Sequence, residues 1–414
     1  MVFFYNLSVL VYKLLIYFAS PFNKKAKLWV SGRKGLFENI KKRIRVDTRI
    51  AWFHCASLGE FEQGRPVIEA FRKKYPSFKI LITFFSPSGY EVRKTYNHAD
   101  YIFYLPIDTP SNAKRFVNIV NPEVVFFVKY EFWFNYIKNI CQKEIPFFII
   151  SANFRPGQHF FKWYGGWFRR QLKGISWTFV QNKKSAELLQ GIGITKVTVS
   201  GDTRFDRVHS ITQDVKRFPV IEKFCKNSDV LIAGSSWPPD EDLLTKLINS
   251  EKTKYKFIIA PHLVDKPHIA AIAEKINKGH VVLYSEADEE NVMYTKVMII
   301  DSIGILSHVY QYGKIAYIGG GFGSDIHNIL EAATFGMPVI FGPKYHKFQE
   351  AVNLIKEGGA FSINNEQDFF TVVLKLMNNQ LMLKDKSEIA KTFVQKNIGA
   401  TEIILKETAA FLHS

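Results

Sequence analysis

The stretch KIAYIGGGFGSDIHNILEAA (314–333) decides the fold. Its first five residues read as a strand, Gly319, Gly320 and Gly321 turn the chain, and Gly323, Ser324, Asp325, His327 and Asn328 lead into a helical pattern from Ile329 to Ala333. A strand that turns through glycines into a helix opens a βαβ unit, and the turn exposes backbone N–H groups that suit a phosphate. Asn328 and Glu331 lie three apart, one helical turn, so both can face one ligand, and a carboxylate there can accept two ribose hydroxyls. Glycines used only for tight packing are the alternative; the His, Asn and Glu beside them favour a ligand. Two more turns follow strand ends in this half: AGSSWPPDEDLL (233–244), with Ser235, and IAPH (259–262), with His262. Three strand ends thus converge on one nucleotide.

Outward from that stretch, short β-branched and aromatic runs alternate with amphipathic helical patterns, as in a parallel sheet covered on both faces. Strands are expected at 49–55, 79–85, 101–105, 123–128, 146–151, 177–181 and 196–201. After a polar segment at 206–229 they resume at 230–235, 255–262, 281–285, 297–302, 314–321 and 337–343. The fold class is α/β, with two doubly wound Rossmann-like halves: residues 49–210 and 228–395, followed by a carboxyl-terminal helix at 396–414. In such sheets ligands bind beyond the carboxyl ends of the strands. The expectation is that the two halves face each other across one cleft. In the first half, Glu60 follows the strand RIAWFHC (49–55) and Glu131 follows EVVFFV (123–128), inside KYEFWFN. A carboxylate on such a loop can be a general base for a hydroxyl. A helix amino-terminal charge explains Glu60 equally well, and a core network would explain Glu131.

The chain of 414 residues carries 55 Lys and Arg against 38 Asp and Glu, a net charge of +17, which calls for an anionic partner. With 47% hydrophobic residues and 37 Phe it is globular, and disorder is excluded. Its three cysteines, Cys55, Cys141 and Cys225, are too far apart for a disulfide framework or an ordinary zinc motif. Residues 2–19, VFFYNLSVLVYKLLIYFA, would span about 27 Å as a helix, just enough to cross hydrocarbon, with Lys13 as the one interruption. Residues 1–22 therefore read as a membrane anchor. The segment 23–48 reads as a basic membrane-proximal stretch (Lys24, Lys25, Lys27, Arg33, Lys34, Lys41, Lys42, Arg43, Arg45) that stays cytoplasmic and meets anionic lipid. A buried first helix with a solvated basic face is the competing reading.

Several segments then match one family in order. HCASLGE (54–60), ITFFSPSGYE (82–91), YLPIDTP (104–110), KYEFWFN (129–135), SGDTRFD (200–206), AGSSWPPDE (233–241) and IHNILEAATFGMPVIFGP (326–343) resemble the 3-deoxy-D-manno-octulosonic acid (Kdo) transferases of lipopolysaccharide synthesis. The resemblance implies a GT-B type fold and an inverting transfer of Kdo from CMP-Kdo to a lipid A precursor at the inner membrane. It makes Glu60 the general base and Glu131 a second active-site residue. Donor-side candidates are Ser235, His262, Gly320, Gly321, Gly323, His327, Asn328, Glu331 and Lys344; acceptor-side candidates are Ser57, Gly59, Ser86 and Ser88. The Kdo carboxylate needs a cationic or hydroxyl-rich partner, for which Ser86, Ser88 and Lys344 are the candidates.

The chain departs from the family pattern in two places. Many members have Gly-Gly-His-Asn-Pro-Leu-Glu-Pro where this one has Asp325 to Ala332, and Pro-Arg-His where this one has Ala260, Pro261 and His262, leaving Lys266 or Lys344 to replace the arginine. The growing phosphate charge is expected to meet backbone N–H groups and a helix amino terminus within 319–331. No divalent metal and no other cofactor is expected, since the acidic run Asp240, Glu241, Asp242 sits where a helix begins and is explained by the helix dipole. Another GT-B enzyme using a UDP-sugar and a lipid-linked acceptor is the runner-up. A nucleic-acid binder would also explain the charge, but no motif accompanies it, so no nucleic-acid partner is expected.

Overall fold

In the computed structural model, which describes residues 1–412 apart from 46, 251, 278–280 and 291, the apolar runs form two all-parallel seven-stranded sheets. The first contains β1 (Ile50–Cys55), β2 (Lys79–Phe84), β3 (Tyr101–Tyr104), β4 (Val124–Val128), β5 (Phe147–Ala152), β6 (Trp177–Val180) and β7 (Val197–Val199), in the order 3-2-1-4-5-6-7. The second contains β8 (Val230–Ser236), β9 (Lys256–Pro261), β10 (Val281–Leu283), β11 (Val297–Ile299), β12 (Ile315–Ile318), β13 (Val339–Phe341) and β14 (Ala360–Ser362), in the order 10-11-9-8-12-13-14. Each sheet is doubly wound and Rossmann-like, the unit that the GT-B architecture pairs. In the first, chain direction along the sheet reverses between β1 and β4; in the second, between β8 and β12.

Residues 1–207, with the closing segment from Ile398, form one compact unit, and residues 208–397 form another. In the first unit, every residue of β1, β4 and β5 is buried, so these strands read as continuous apolar runs rather than alternating ones. Their two faces carry different ring clusters. Trp52 packs against Phe116, Phe127 and Tyr136, while on the other face Phe53 stacks on Phe126 at 4.6 Å and meets Phe71 edge-on. The helix Ala400–Thr408 closes the latter face with Ile404 and Leu405. Its start is fixed by Asp206, whose carboxylate accepts from the Gly399 and Thr401 amides at 2.6 and 2.7 Å.

Four helices position the site: α1 (Val2–Ala19), α2 (Lys24–Ser31), α3 (Leu36–Arg43) and α4 (Leu58–Lys74). Among the described residues α1 is the one helix long and apolar enough to cross a membrane. It does not stand free of the body. Tyr5, Asn6, Val9, Tyr12 and Ile16, spaced as one helical stripe, turn toward the first unit. The Tyr5 hydroxyl donates to Asp108 at 2.6 Å, Asn6 Oδ1 accepts from Asn135, and Tyr12 stacks on Phe85. Phe3, Phe4, Leu7, Leu14, Leu15 and Phe18 remain exposed on the other faces.

The basic segment needs one correction. Arg33 is not a solvated charge: its guanidinium lies 3.9 Å from the Trp29 ring and 4.8 Å from Tyr104 and donates to the carbonyls of Leu105, Trp29 and Phe85. Burial pulls its pKa down to about 9. Arg33 staples α2 to the loops after β2 and β3, whereas Lys24, Lys25, Lys27, Lys34, Lys41, Lys42, Arg43 and Arg45 stay exposed.

Candidate active site

The sheet reversal between β1 and β4 brings Glu60 and Glu131 to one end of the first unit. Glu60 is the third residue of α4, and its Oε2 accepts from the Ser57 amide at 2.8 Å and the Ser57 hydroxyl at 3.0 Å, a capping box. Among the described residues its Oε1 accepts nothing. Burial raises the Glu60 pKa above its ordinary value, and the charge of Glu131 raises it further; Ser57, His54 and Lys129 pull the other way. A carboxylate so placed moves toward the pKa that a general base needs near neutrality.

Glu131 lies on the turn after β4, where Lys129 takes a left-handed φ of 66° that a residue with a Cβ adopts at a cost of about 1–2 kcal/mol. Its side chain is only 12% exposed. The Trp133 indole donates to Glu131 Oε2 at 2.6 Å, and His54 Nε2 lies 3.3 Å from the same oxygen. His54 is fully buried, with Nδ1 3.1 Å from the Thr83 carbonyl and 2.9 Å from its hydroxyl, which in turn accepts from Trp52. Because a carbonyl only accepts, Nδ1 carries the proton, leaving Nε2 to accept from Trp133 at 3.2 Å. The Trp133 indole, shared between Glu131 Oε2 and Nε2 of the buried His54, thus orients Glu131.

The acceptor-side candidates sit beside these carboxylates. Ser57 caps α4 and Gly59 is exposed in its first turn. Ser86 caps the helix Pro87–Arg93 and shares a 2.9 Å hydrogen bond with Ser88. The Ser86 amide donates to Ala56, and Gly89 passes so close to Phe84 and the Ser57 backbone that a Cβ would lie 2.3 Å from the ring. The loops after β1 and β2 therefore form one surface.

The second unit gathers its candidates at the reversal between β8 and β12. Ser235 adopts φ 53° at a register shift in β8. Gly319 crosses that turn so tightly that a Cβ would meet Ser235 O at 2.3 Å, and Gly321 lies against Gly342 in the same way. Gly320 has φ 105°, and its amide donates to Asp240 at 3.0 Å. His262 stacks on Trp237 and on His327, each at 4.5 Å, and the Trp237 indole donates to His327 Nε2 at 3.0 Å. Burial lowers both histidine pKa values, His327 to about 4 with His262 adding to the effect. His327 is thus a neutral donor through Nδ1, not a cation.

Residues 321–329 are turn and loop, and the helix is the single turn Leu330–Ala333, within one residue of the expected Ile329–Ala333. Asn328 and Glu331 do come together, with Asn328 Nδ2 donating to Glu331 Oε1 at 3.0 Å. Lys344 spends its ammonium on the Gly323 carbonyl at 2.9 Å, so it fastens the glycine loop. Asp240 accepts from Tyr317, Gly320 and Trp237, Glu241 from Ser236, and Asp242 pairs with Lys275. Among the described residues no group of three or more His, Cys, Asp or Glu side chains is placed to share a metal. Sequence reasoning passed over His54, Trp133 and Trp237 as site residues, although each lies within a quoted segment.

Known proteins share the sequence and the fold of this chain. The family model described as "3-Deoxy-D-manno-octulosonic-acid transferase (kdotransferase)" matches residues 30–207, which include both carboxylates. The 3-deoxy-D-manno-octulosonic acid transferase of Aquifex aeolicus is 28% identical over 83% of this chain and 92% of its own. The Haemophilus influenzae enzyme of that name is 25% identical over 86% and 85%. Among solved structures, the UDP-GlcNAc 2-epimerase of Neisseria meningitidis superposes with a TM-score of 0.61 at 18% identity, covering 88% of this chain and all of that one, a likeness of fold. The family match contains both carboxylates and the relatives run through both sheets, so along most of its length this chain is similar to the 3-deoxy-D-manno-octulosonic acid transferases.

Proposed function

We propose that this protein transfers Kdo from CMP-Kdo to a lipid A precursor, lipid IVA, with inversion, at the cytoplasmic face of the inner membrane. The observation that carries the reading is the pair of half-buried carboxylates at the β1/β4 reversal of a chain similar to these transferases. Glu60 Oε1 takes the proton of the acceptor hydroxyl as its oxygen bonds to the anomeric carbon of Kdo and the bond to the CMP phosphate breaks. Glu131, held by Trp133, keeps the pKa of Glu60 up and orients the acceptor. Ser57, Gly59, Ser86 and Ser88 line the acceptor side. In the second unit the backbone of Gly321 and Gly323 with His327 Nδ1 receives the phosphate, the Gly320 amide being spent on Asp240, while Ser235, His262, Asn328 and Glu331 hold the nucleoside and Lys344 keeps the glycine loop in shape. The exposed apolar faces of α1 and the eight exposed cations of residues 24–45 hold the protein on anionic lipid.

CMP carries one phosphate, and neutral hydrogen-bond donors suffice to stabilise it, so the reaction needs no divalent metal. Transfer should persist in excess EDTA, and CMP should compete with the donor where UDP does not. Loss of activity with chelator and its return with Mg would refute the metal-free step; inhibition by UDP and not CMP would refute the donor.

A further inference from the structure

The first unit contains a cavity of about 460 Å³ that the chemistry above does not use. Its walls are rings: Tyr5 of α1, Phe132, Phe134, Phe160, Trp167 and Phe168. These lock one another in place, with Phe134 and Trp167 at 5.0 Å, Tyr5 and Trp167 at 5.8 Å, and Phe132 and Phe160 at 4.7 Å. Most polar atoms nearby are spent; His159, whose Nδ1 lies 3.2 Å from the Tyr164 hydroxyl, also lines the space. The Tyr5 hydroxyl donates to Asp108, the Tyr130 hydroxyl to the Asn153 carbonyl at 2.6 Å, Gln171 Nε2 to the Trp167 carbonyl, and Gln158 Oε1 accepts from the Arg155 amide. A sugar or nucleotide would leave its hydroxyls unpaired in such a space, whereas hydrocarbon loses nothing there. Arg155, exposed, is the one lining cation.

Two connections identify the hydrocarbon. Tyr130 and Phe132 line the cavity and flank Glu131, so a chain bound here belongs to a molecule whose polar part reaches the carboxylates. Tyr5 makes α1 part of the wall, so the cavity is continuous with the helix whose other faces are exposed and apolar. We propose that this cavity takes one acyl chain of the lipid acceptor, with Arg155 at its edge meeting an acceptor phosphate. The inference rests on the transferase reading of the same site: the cavity selects acceptors by their acylation.

The test uses the full chain with CMP-Kdo and two acceptors, a tetraacylated glucosamine disaccharide bisphosphate and its deacylated form. Gly157 lines the cavity, and a Cβ there meets nothing within 4 Å, so Gly157→Trp can fill the space without disturbing the fold. Filling should raise KM for the tetraacylated acceptor about tenfold or more, leaving KM for CMP-Kdo and the slow turnover of the deacylated acceptor unchanged. Trp167→Ala is the second variant; it should alter KM for the tetraacylated acceptor alone. Equal effects on both acceptors, or none, would overturn the cavity assignment while transfer by the wild type continues. A KM for the tetraacylated acceptor that moves only when phospholipid is present would assign the cavity to bulk lipid and also overturn it. No Kdo transfer by the wild type would instead defeat the underlying reading.

Discussion

In the proposed mechanism Glu60 uses its two oxygens differently. Oε2 closes the capping box of α4 and Oε1 is left for chemistry, so one residue fits both the helix-cap rule and the role of base. Its raised pKa has a signed consequence. The protonated form is the one the folded protein favours, so Glu60 contributes most to stability below its ordinary pKa, and that contribution fades as pH rises through the raised value. Activity runs the other way, because the base must be ionised. The acidic limb of kcat/KM should therefore lie above the ordinary Glu value of 4.5. Since the charge of Glu131 is the second cause of the shift, Glu131→Gln should move that limb to lower pH in the turnover that remains. A limb that stays fixed would separate the two carboxylates. Glu60 and Glu131 were legible in the sequence because each follows an apolar run that can only be a strand. His54 was not: inside RIAWFHC it reads as one more strand residue, and its meaning depends on Thr83 and Trp133, 29 and 79 positions away.

At the scale of elements, strand existence was readable from apolar runs, and thirteen of the fourteen strands stand within a few residues of their expected ends. The edge strand β14, Ala360–Ser362, escaped because three residues behind Gly358 and Gly359 carry no period. The helix expected from Ile329 to Ala333 stands as the single turn Leu330–Ala333, while Gly320, at φ 105°, and the Gly321–Gly342 contact hold residues 321–329 before it as turn and loop. The segment 23–48 shows the converse. Its charge density read as a solvated membrane face, yet α2 and α3 bury Trp29, Leu36 and Ile40, and Arg33 is locked among rings and carbonyls. Arg33→Ala strands those carbonyl acceptors and should cost about 2–3 kcal/mol of stability, read as a lowered melting temperature. Arg33→Lys should recover only part, since an ammonium cannot reproduce the planar fork. A melting temperature unchanged in Arg33→Ala would show that α2 is held by other contacts.

For the whole molecule, the proposed function has the net charge of +17 and the exposed face of α1 acting together at a membrane. Deleting residues 1–22 removes Tyr5 from Asp108 and uncovers Trp29 and Phe134, but leaves both sheets and the exposed cations of residues 24–45. The shortened protein should remain folded and bind anionic vesicles with an affinity that falls steeply between low and physiological salt. Binding indifferent to salt would remove the electrostatic component, and unfolding would make α1 part of the core. The central claim, that the carboxylates at the β1/β4 reversal carry out Kdo transfer, is tested most directly by the mass of the product formed from CMP-Kdo and tetraacylated lipid A precursor by the wild type and by Glu60→Gln. Glutamine keeps an oxygen for the capping box, so the variant should fold and bind CMP as before. The account predicts Kdo added to the acceptor by the wild type and a rate about 100- to 10,000-fold lower for the variant; an unmodified acceptor with the wild type, or a variant within tenfold of it, would contradict it.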